Sequence, residues 1–205
     1  MASDASIRFF EVQFQRQVSE GDLRLNPFEE AALPYLRGRV LDFGCGLGNL
    51  AVAAARNGCS VVAIDGSHTA IQHLCQVAQA QTLAIEALEA DLRTYRFGEE
   101  FDAIVSIGLL VFFDCPTAFD LLRGLQEHVR RGGIAIVNAL IEGTTYLDMF
   151  DPKSHCLFSR DELQQRFSGW KIENNEYQEF LAPGGQVKSF VTLVARKPVA
   201  ATEAT

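Results

Sequence analysis

Three carboxylates and three glycines carry the chemistry legible in this chain. "VLDFGCGLGN" (40–49) sets Asp42 two places before Gly44 and continues through Gly46 and Gly48, an acid-x-Gly-x-Gly-x-Gly pattern. Glycine is required where backbone turns sharply or lies against a ligand with no Cβ in the way. Between a strand and a helix start, such a loop presents N–H groups to an anion. "VVAIDGS" then ends on Asp65, and "EADL" carries Asp91. Carboxylates in those places can accept hydrogen bonds from ribose hydroxyls or an exocyclic amino group.

Two ligand classes fit the loop. Gly46-x-Gly48-x-x-Ala51 satisfies the dinucleotide fingerprint G-x-G-x-x-G/A, with Asp65 17 residues beyond Gly48. That reading makes the chain an NAD-linked oxidoreductase. S-adenosylmethionine (SAM) accounts for more residues. Asp42 beside a pyrophosphate would set like charges together, whereas it can serve the ammonium of SAM. Three carboxylates following three successive strands favour SAM.

The elements that must position these groups alternate along the chain. A helix is expected over roughly 5–20 from Ile7, Phe10, Phe14 and Val18, and Asn26 can cap a second one with Pro27 in its first turn. Segments 39–44, 60–65, 82–91, 101–108 and 134–140 read as strands. Segments 49–58, 67–81 (capped by Ser67) and 117–131 (ended by Gly132 and Gly133) read as the intervening helices. Such alternation implies right-handed β-α-β units and a parallel sheet. Ser159 and Glu162 have capping-box spacing. "WKIENNEYQEFL" and "VKSFVTLVAR" flank the "APGGQ" turn and read as an antiparallel pair.

Residue by residue, this order resembles the class I SAM-dependent methyltransferases, through "VLDFGCGLGN", "VVAIDGS", "EADL", "FDAIVSIGLL" and "VRRGGIAIV". Within them it is most similar to the tellurite-resistance, TehB-like group, in "LNPFEEAALPYLRGRVLDFGCGLGNLAVAAARNG", "FGEEFDAIVSIGLLVFF" and "SGW…VARK". The resemblance implies an α/β, three-layer, doubly wound Rossmann-like sheet, mostly parallel with an antiparallel last strand. It implies a SAM cofactor, leaving as S-adenosylhomocysteine. Asp42, Gly44, Cys45 and Gly46 would lie at its methionine end, Asp65 and Gly66 at the ribose, and Asp91 and Leu92 at the adenine. Ser106 and Ile107 would line the site, and Arg24 would face the ligand carboxylate. It also implies one domain over 1–197, with a helical cap (1–38), a SAM-binding core (39–140), a substrate region and terminal hairpin (141–197), and a disordered tail (198–205).

The acceptor is less defined. By the resemblance it is a small molecule of the tellurite, selenite or thiol type. A soft anion needs no general base, and no catalytic triad is visible. Phe112, Phe113, Cys115, Tyr146 and His155 stand where acceptor contacts arise, with core packing or loop exposure as the ordinary alternative. The hairpin tip has only Lys188 as a basic residue. No acid- or Asn-Pro-Pro-aromatic run follows the fourth strand, which speaks against methylation of base amines in nucleic acid. A methyltransferase fold acting as a regulatory subunit without turnover is the non-catalytic alternative.

The whole chain sets broader bounds. With 205 residues, 48% hydrophobic and 21% charged, it suits one globular domain. Its 18 basic and 26 acidic residues give a formal charge of −8 and no basic stripe, against a nucleic-acid partner. No run is apolar enough for an export signal or membrane span. The five cysteines form no C-x-x-C pair and read as reduced thiols in a cytoplasm. His68-x4-His73-x-Cys75 has metal-binding residue types but reads as a helix face, since no second cluster accompanies it. The oligomeric expectation is a monomer or homodimer.

Overall fold

The computed structural model describes residues 4–21, 23–148, 150–151 and 154–199. Helix α1 spans Asp4–Glu20; Ile7, first in its expected apolar stripe, has its side chain outside the described residues. Helix α2 covers Pro27–Ala32. Asn26 Oδ1 accepts from the Phe28 and Glu29 N–H groups, and Glu29 Oε2 accepts from the Asn26 N–H, so the capping box is reciprocal. Then follow β1 (Arg39–Phe43), α3 (Asn49–Arg56), β2 (Ser60–Asp65), α4 (His68–Gln81) and β3 (Ile85–Glu89). The second half holds β4 (Phe101–Ile107), α5 (Cys115–Glu127), β5 (Val129–Leu140), α6 (Glu162–Arg166), β6 (Lys171–Leu181) and β7 (Val187–Arg196).

The seven strands form one sheet in the order β3-β2-β1-β4-β5-β7-β6. β1 to β5 run parallel, and β7 runs antiparallel between β5 and β6. Because side chains alternate across a strand, each strand feeds two cores. One buries Leu41, Ile104 and Val137 against Leu121, Leu125 and Phe167 of α5 and the α6 end. The other buries Val40, Val105 and Ile136 against Leu36, Leu50 and Leu74 of the α2–α4 side. The fold is thus a three-layer, doubly wound α/β sheet. Strand order reverses between β1 and β4, the place where open parallel sheets leave a crevice beyond the strand ends.

Several boundaries differ from the sequence reading. Helix α5 starts at Cys115, two residues early, because Asp114 caps it through the Thr117 N–H with Pro116 in the first turn. It ends at Glu127, and Gly132 and Gly133 lie inside β5 rather than stopping a helix. A Cβ on Gly133 would come within 2.8 Å of the Asp102 carbonyl oxygen, so glycine there serves a close strand approach. β3 is shorter than expected because Thr82, with φ of 53°, ends α4 in the left-handed region. Only half of the Ser159 box forms: Glu162 Oε2 accepts from the Ser159 N–H, while helix α6 begins at Glu162.

The expectation that all cysteines are reduced fails at one pair. Cys115 and Cys156 are joined in a disulfide across 41 residues, whereas Cys45, Cys59 and Cys75 are free. The segment after β5 returns to place Cys156 under the start of α5: its N–H donates to the Val111 carbonyl, and Phe158 bonds back to Leu140. No helix among the described residues is long and apolar enough to cross a membrane. Residues 200–205 of the expected tail lie outside the described residues.

Candidate active site

A cavity of about 760 Å³ opens at the carboxyl ends of β1, β2, β4 and β5. At one end lies the glycine loop. The Gly44 and Cys45 N–H groups both donate to the Ile64 carbonyl, at 2.8 and 3.0 Å, tying the loop to β2. The glycines differ in purpose. A Cβ on Gly48 would stand 2.5 Å from Leu74, and one on Gly44 2.8 Å from Leu109, so both allow protein packing. A Cβ on Gly46 would meet only the Phe14 ring, at 3.3 Å, with its backbone facing the cavity.

Asp65 braces this loop as well as facing the cavity. Its Oδ2 accepts from the Gly46 N–H and its Oδ1 from the Ser67 N–H, both at 2.9 Å. Burial nevertheless holds its pKa above the ordinary range, partly countered by those bonds and by Gly66. Asp42 is more isolated: it is 5% exposed, and Oδ2 has no hydrogen-bond partner. Burial, then the nearby Glu29 and Asp65 carboxylates, push its pKa well upward. The same burial and the same two aspartates raise the Cys45 thiol. A buried carboxylate with anionic neighbours and an empty lone pair favours an incoming cation and disfavours a second anion.

Most of the expected site residues converge. Arg24, Asp42, Gly44, Cys45, Gly46, Asp65, Gly66, Asp91, Leu92 and Ile107 all line the cavity. Asp91 is exposed, and its Oδ1 also accepts from the Arg93 N–H and Nε. Ser106 is the correction. It is fully buried with its Oγ unpartnered, and it belongs to the opposite face of β4 from Ile107. Its neighbours at Ile104 and Val137 pack toward α5, whereas the cavity lies on the α2 side. Strand alternation forbids adjacent residues from lining one cavity by their side chains.

The far end of the cavity is aromatic. Phe10 meets Phe112 edge-on at 5.1 Å, Phe112 packs on Phe150 at 5.2 Å, and Phe28 packs on Phe190 at 4.8 Å. All five rings line the cavity, together with Asn138 and Lys188. Helix α1 is held over the loop by Glu11, whose carboxylate accepts from the Ser67 and Thr69 hydroxyls. Although burial opposes it, those hydroxyls hold the Glu11 pKa low. Phe113 lines the cavity from a core position. Tyr146 and His155 do not line it: Lys188 Nζ lies 4.7 Å from the Tyr146 ring centroid, and His155 Nδ1 pairs with the Asp151 carbonyl. Cys115 is taken up by the disulfide. Among the described residues, no cluster of three metal-ligating side chains exists, and His68 pairs with Glu89 instead.

The sequence reading has α1 and α2 as a helical cap but not the phenylalanines with which they line the cavity, and it missed Asn138. The signal for Asn138 was present, since it is the one polar residue in the apolar run "IAIVNAL". The phenylalanines of α1 and α2 carry no such mark.

Residues 40–133, a little under half of the chain, match the family described as a methyltransferase domain. Over 170 residues the chain is 27% identical to Hemagglutinin 1 of Eikenella corrodens, covering 78% of this chain and 55% of that protein. It is 26% identical over 166 residues to the probable S-adenosyl-L-methionine-dependent methyltransferase TehB of Haemophilus influenzae, covering 78% and 57%. The chain thus spans little more than half the length of these relatives. A TehB crystal structure from H. influenzae superposes with a TM-score of 0.71 at 22% identity, covering 83% of this chain and 61% of that one. The N-methyltransferase NodS of Bradyrhizobium japonicum WM9, in complex with S-adenosyl-L-homocysteine, gives 0.68 at 17% identity over 92% and 98%.

Proposed function

Starting from a chain that carries a class I SAM-dependent methyltransferase domain related to TehB, we propose that it transfers a methyl group from SAM to a small-molecule acceptor. The observation that carries this reading is the buried, unpartnered Oδ2 of Asp42 with Glu29 and Asp65 nearby. That constellation is matched by the ammonium of SAM, which favours the ionised form of Asp42, whereas a pyrophosphate brings it no positive charge, and this separates the reading from an NAD-linked oxidoreductase.

Bound SAM supplies a methyl group already activated on a sulfonium. The work of the protein is to bind, orient and exclude water. In this reading Asp42 receives the ammonium, and Gly44, Cys45 and Gly46 pass close to the methionine end with Arg24 facing the carboxylate. Asp65 and Gly66 meet the ribose, Asp91 and Leu92 meet the adenine, and Ile107 lines the floor. Ser106, behind the sheet, has no contact role. Helix α1, pinned by Glu11, roofs the cavity and sheds water from it. Alignment of acceptor and methyl group is worth about 7–11 kcal/mol in well-oriented systems.

Kinship with TehB supports a soft acceptor, a tellurite- or selenite-type oxyanion or a thiol, and with it a contribution to tellurite resistance. A cytoplasmic setting goes with that role; intracellular reductants would then work against the Cys115–Cys156 bridge. The test is transfer from labelled SAM across tellurite, selenite, thiols and small acids, alongside tellurite tolerance of cells expressing the protein. Label moving to at least one soft acceptor supports the reading. Binding of S-adenosylhomocysteine without transfer to any acceptor would favour a regulatory subunit instead.

A further inference from the structure

The aromatic end of the cavity limits what can be methylated. Its rings come from α1 (Phe10), α2 (Phe28), the turn after β4 (Phe112), the segment after β5 (Phe150) and β7 (Phe190). Among them lies one fully buried polar side chain, Asn138, near the end of β5 and paired with Ile107 of β4. Asn138 Nδ2 donates to Thr192 Oγ1 at 2.9 Å, and Oδ1 has no partner. The register puts Asn138 two strands from β1, roughly 10 Å by inter-strand spacing, and so away from the glycine loop.

We infer that the acceptor is an apolar organic molecule bringing a hydrogen-bond donor beside the atom to be methylated, and that Asn138 Oδ1 reads that donor. This rests on the methyl-transfer reading of the same cavity and selects, between its two soft acceptors, the organic thiol over the inorganic oxyanion. An oxyanion would shed its water against ring faces that are themselves electron-rich. Among the described residues, Lys188 is the one basic side chain lining this end, and its ammonium already lies over the Tyr146 ring. Burial pushes its pKa down. A cavity with a buried lone acceptor discriminates by the donor a ligand brings, because a ligand without one leaves Oδ1 unpaired.

The test uses the full chain saturated with S-adenosylhomocysteine and four probes: phenol, toluene, acetophenone and tellurite. Phenol should bind about tenfold more tightly than toluene, acetophenone no better than toluene, and tellurite should not displace phenol. Asn138→Leu should bring phenol within twofold of toluene while S-adenosylhomocysteine affinity stays within twofold. If the lone Thr192 hydroxyl destabilises that variant, Asn138→Leu with Thr192→Val removes both polar partners together. Equal affinity for phenol and toluene in the unsubstituted protein overturns the inference. So does preference for acetophenone, displacement by tellurite, or a phenol preference that survives the substitution. Failure of S-adenosylhomocysteine to bind at all would instead strike the methyltransferase reading itself.

Discussion

The two ends of the cavity are made of different material. At the β1–β3 end, carboxylates stand at or just beyond strand ends and a glycine loop bends between them: Asp42, Asp65 and Asp91 with Gly44 to Gly48. At the β4–β7 end, five phenylalanine rings arrive from five separate pieces of chain, around the single buried amide of Asn138. The first end is charged and short-range in sequence. The second is apolar and assembled only by tertiary contact. The difference teaches that one cavity can join an end built from a charged loop to an end built from packed rings, so that each can be perturbed separately.

The largest expected effect falls on the span between Cys115 and Cys156, which supplies Asn138 and Phe150 to the aromatic end. Reducing Cys115–Cys156 removes a cross-link over 41 residues, which at that loop length is worth about 3–4 kcal/mol. Thermal unfolding with and without a dithiol should show that loss, with S-adenosylhomocysteine affinity changed less than about threefold. A large loss of affinity would mean that the two ends are not separable.

Next in size is Asp65→Ala, which deletes a carboxylate accepting from two loop N–H groups. Losing bonds to a charged group costs about 1.5–3 kcal/mol, so S-adenosylhomocysteine affinity should fall roughly 10- to 150-fold by calorimetry. Unchanged affinity would remove Asp65 from the donor site.

A smaller effect follows from Asp42. Its folded pKa lies above the unfolded one, so folding favours the protonated form. The contribution is fully present below the ordinary aspartate range and is lost as pH rises through the raised pKa. Unfolding free energy without ligand should therefore fall with rising pH, by at most about 1.4 kcal/mol per pH unit per group. Asp42→Asn should flatten that slope, leaving the part due to Asp65 and Glu29, which burial also raises. A slope unchanged by Asp42→Asn would contradict the description of its site.

The smallest expected effect sharpens the contrast. Phe150→Ala should leave S-adenosylhomocysteine affinity within about threefold while raising KM for any organic acceptor. Equal losses on both sides would mean that Phe150 supports the whole cavity rather than one wall.

This division also explains what the amino-acid order revealed. Asp42, Asp65 and Asp91 were legible because an apolar strand followed by an acid fixes both the element and the place of the acid along it. Ser106 and Ile107 show the limit of that reasoning: they are adjacent, one faces each layer, and only the parity of the strand separates them. Gly132 and Gly133 looked like a helix stop, yet they serve the close passage of β5 past Asp102. Phe10, Phe28 and Phe190 have no local signature, since their role depends on where α1, α2 and β7 come together. The Cys115–Cys156 pair was hidden for the same reason.

The central claim is that Asp42 and its anionic neighbours make the glycine loop a site for SAM rather than for a dinucleotide. Calorimetry with S-adenosylhomocysteine and NAD on the same preparation tests it most directly. Saturable one-to-one binding of S-adenosylhomocysteine is expected, weakened at least tenfold by Asp65→Ala, with no saturable response to NAD. Saturable NAD binding with no response to S-adenosylhomocysteine would contradict it.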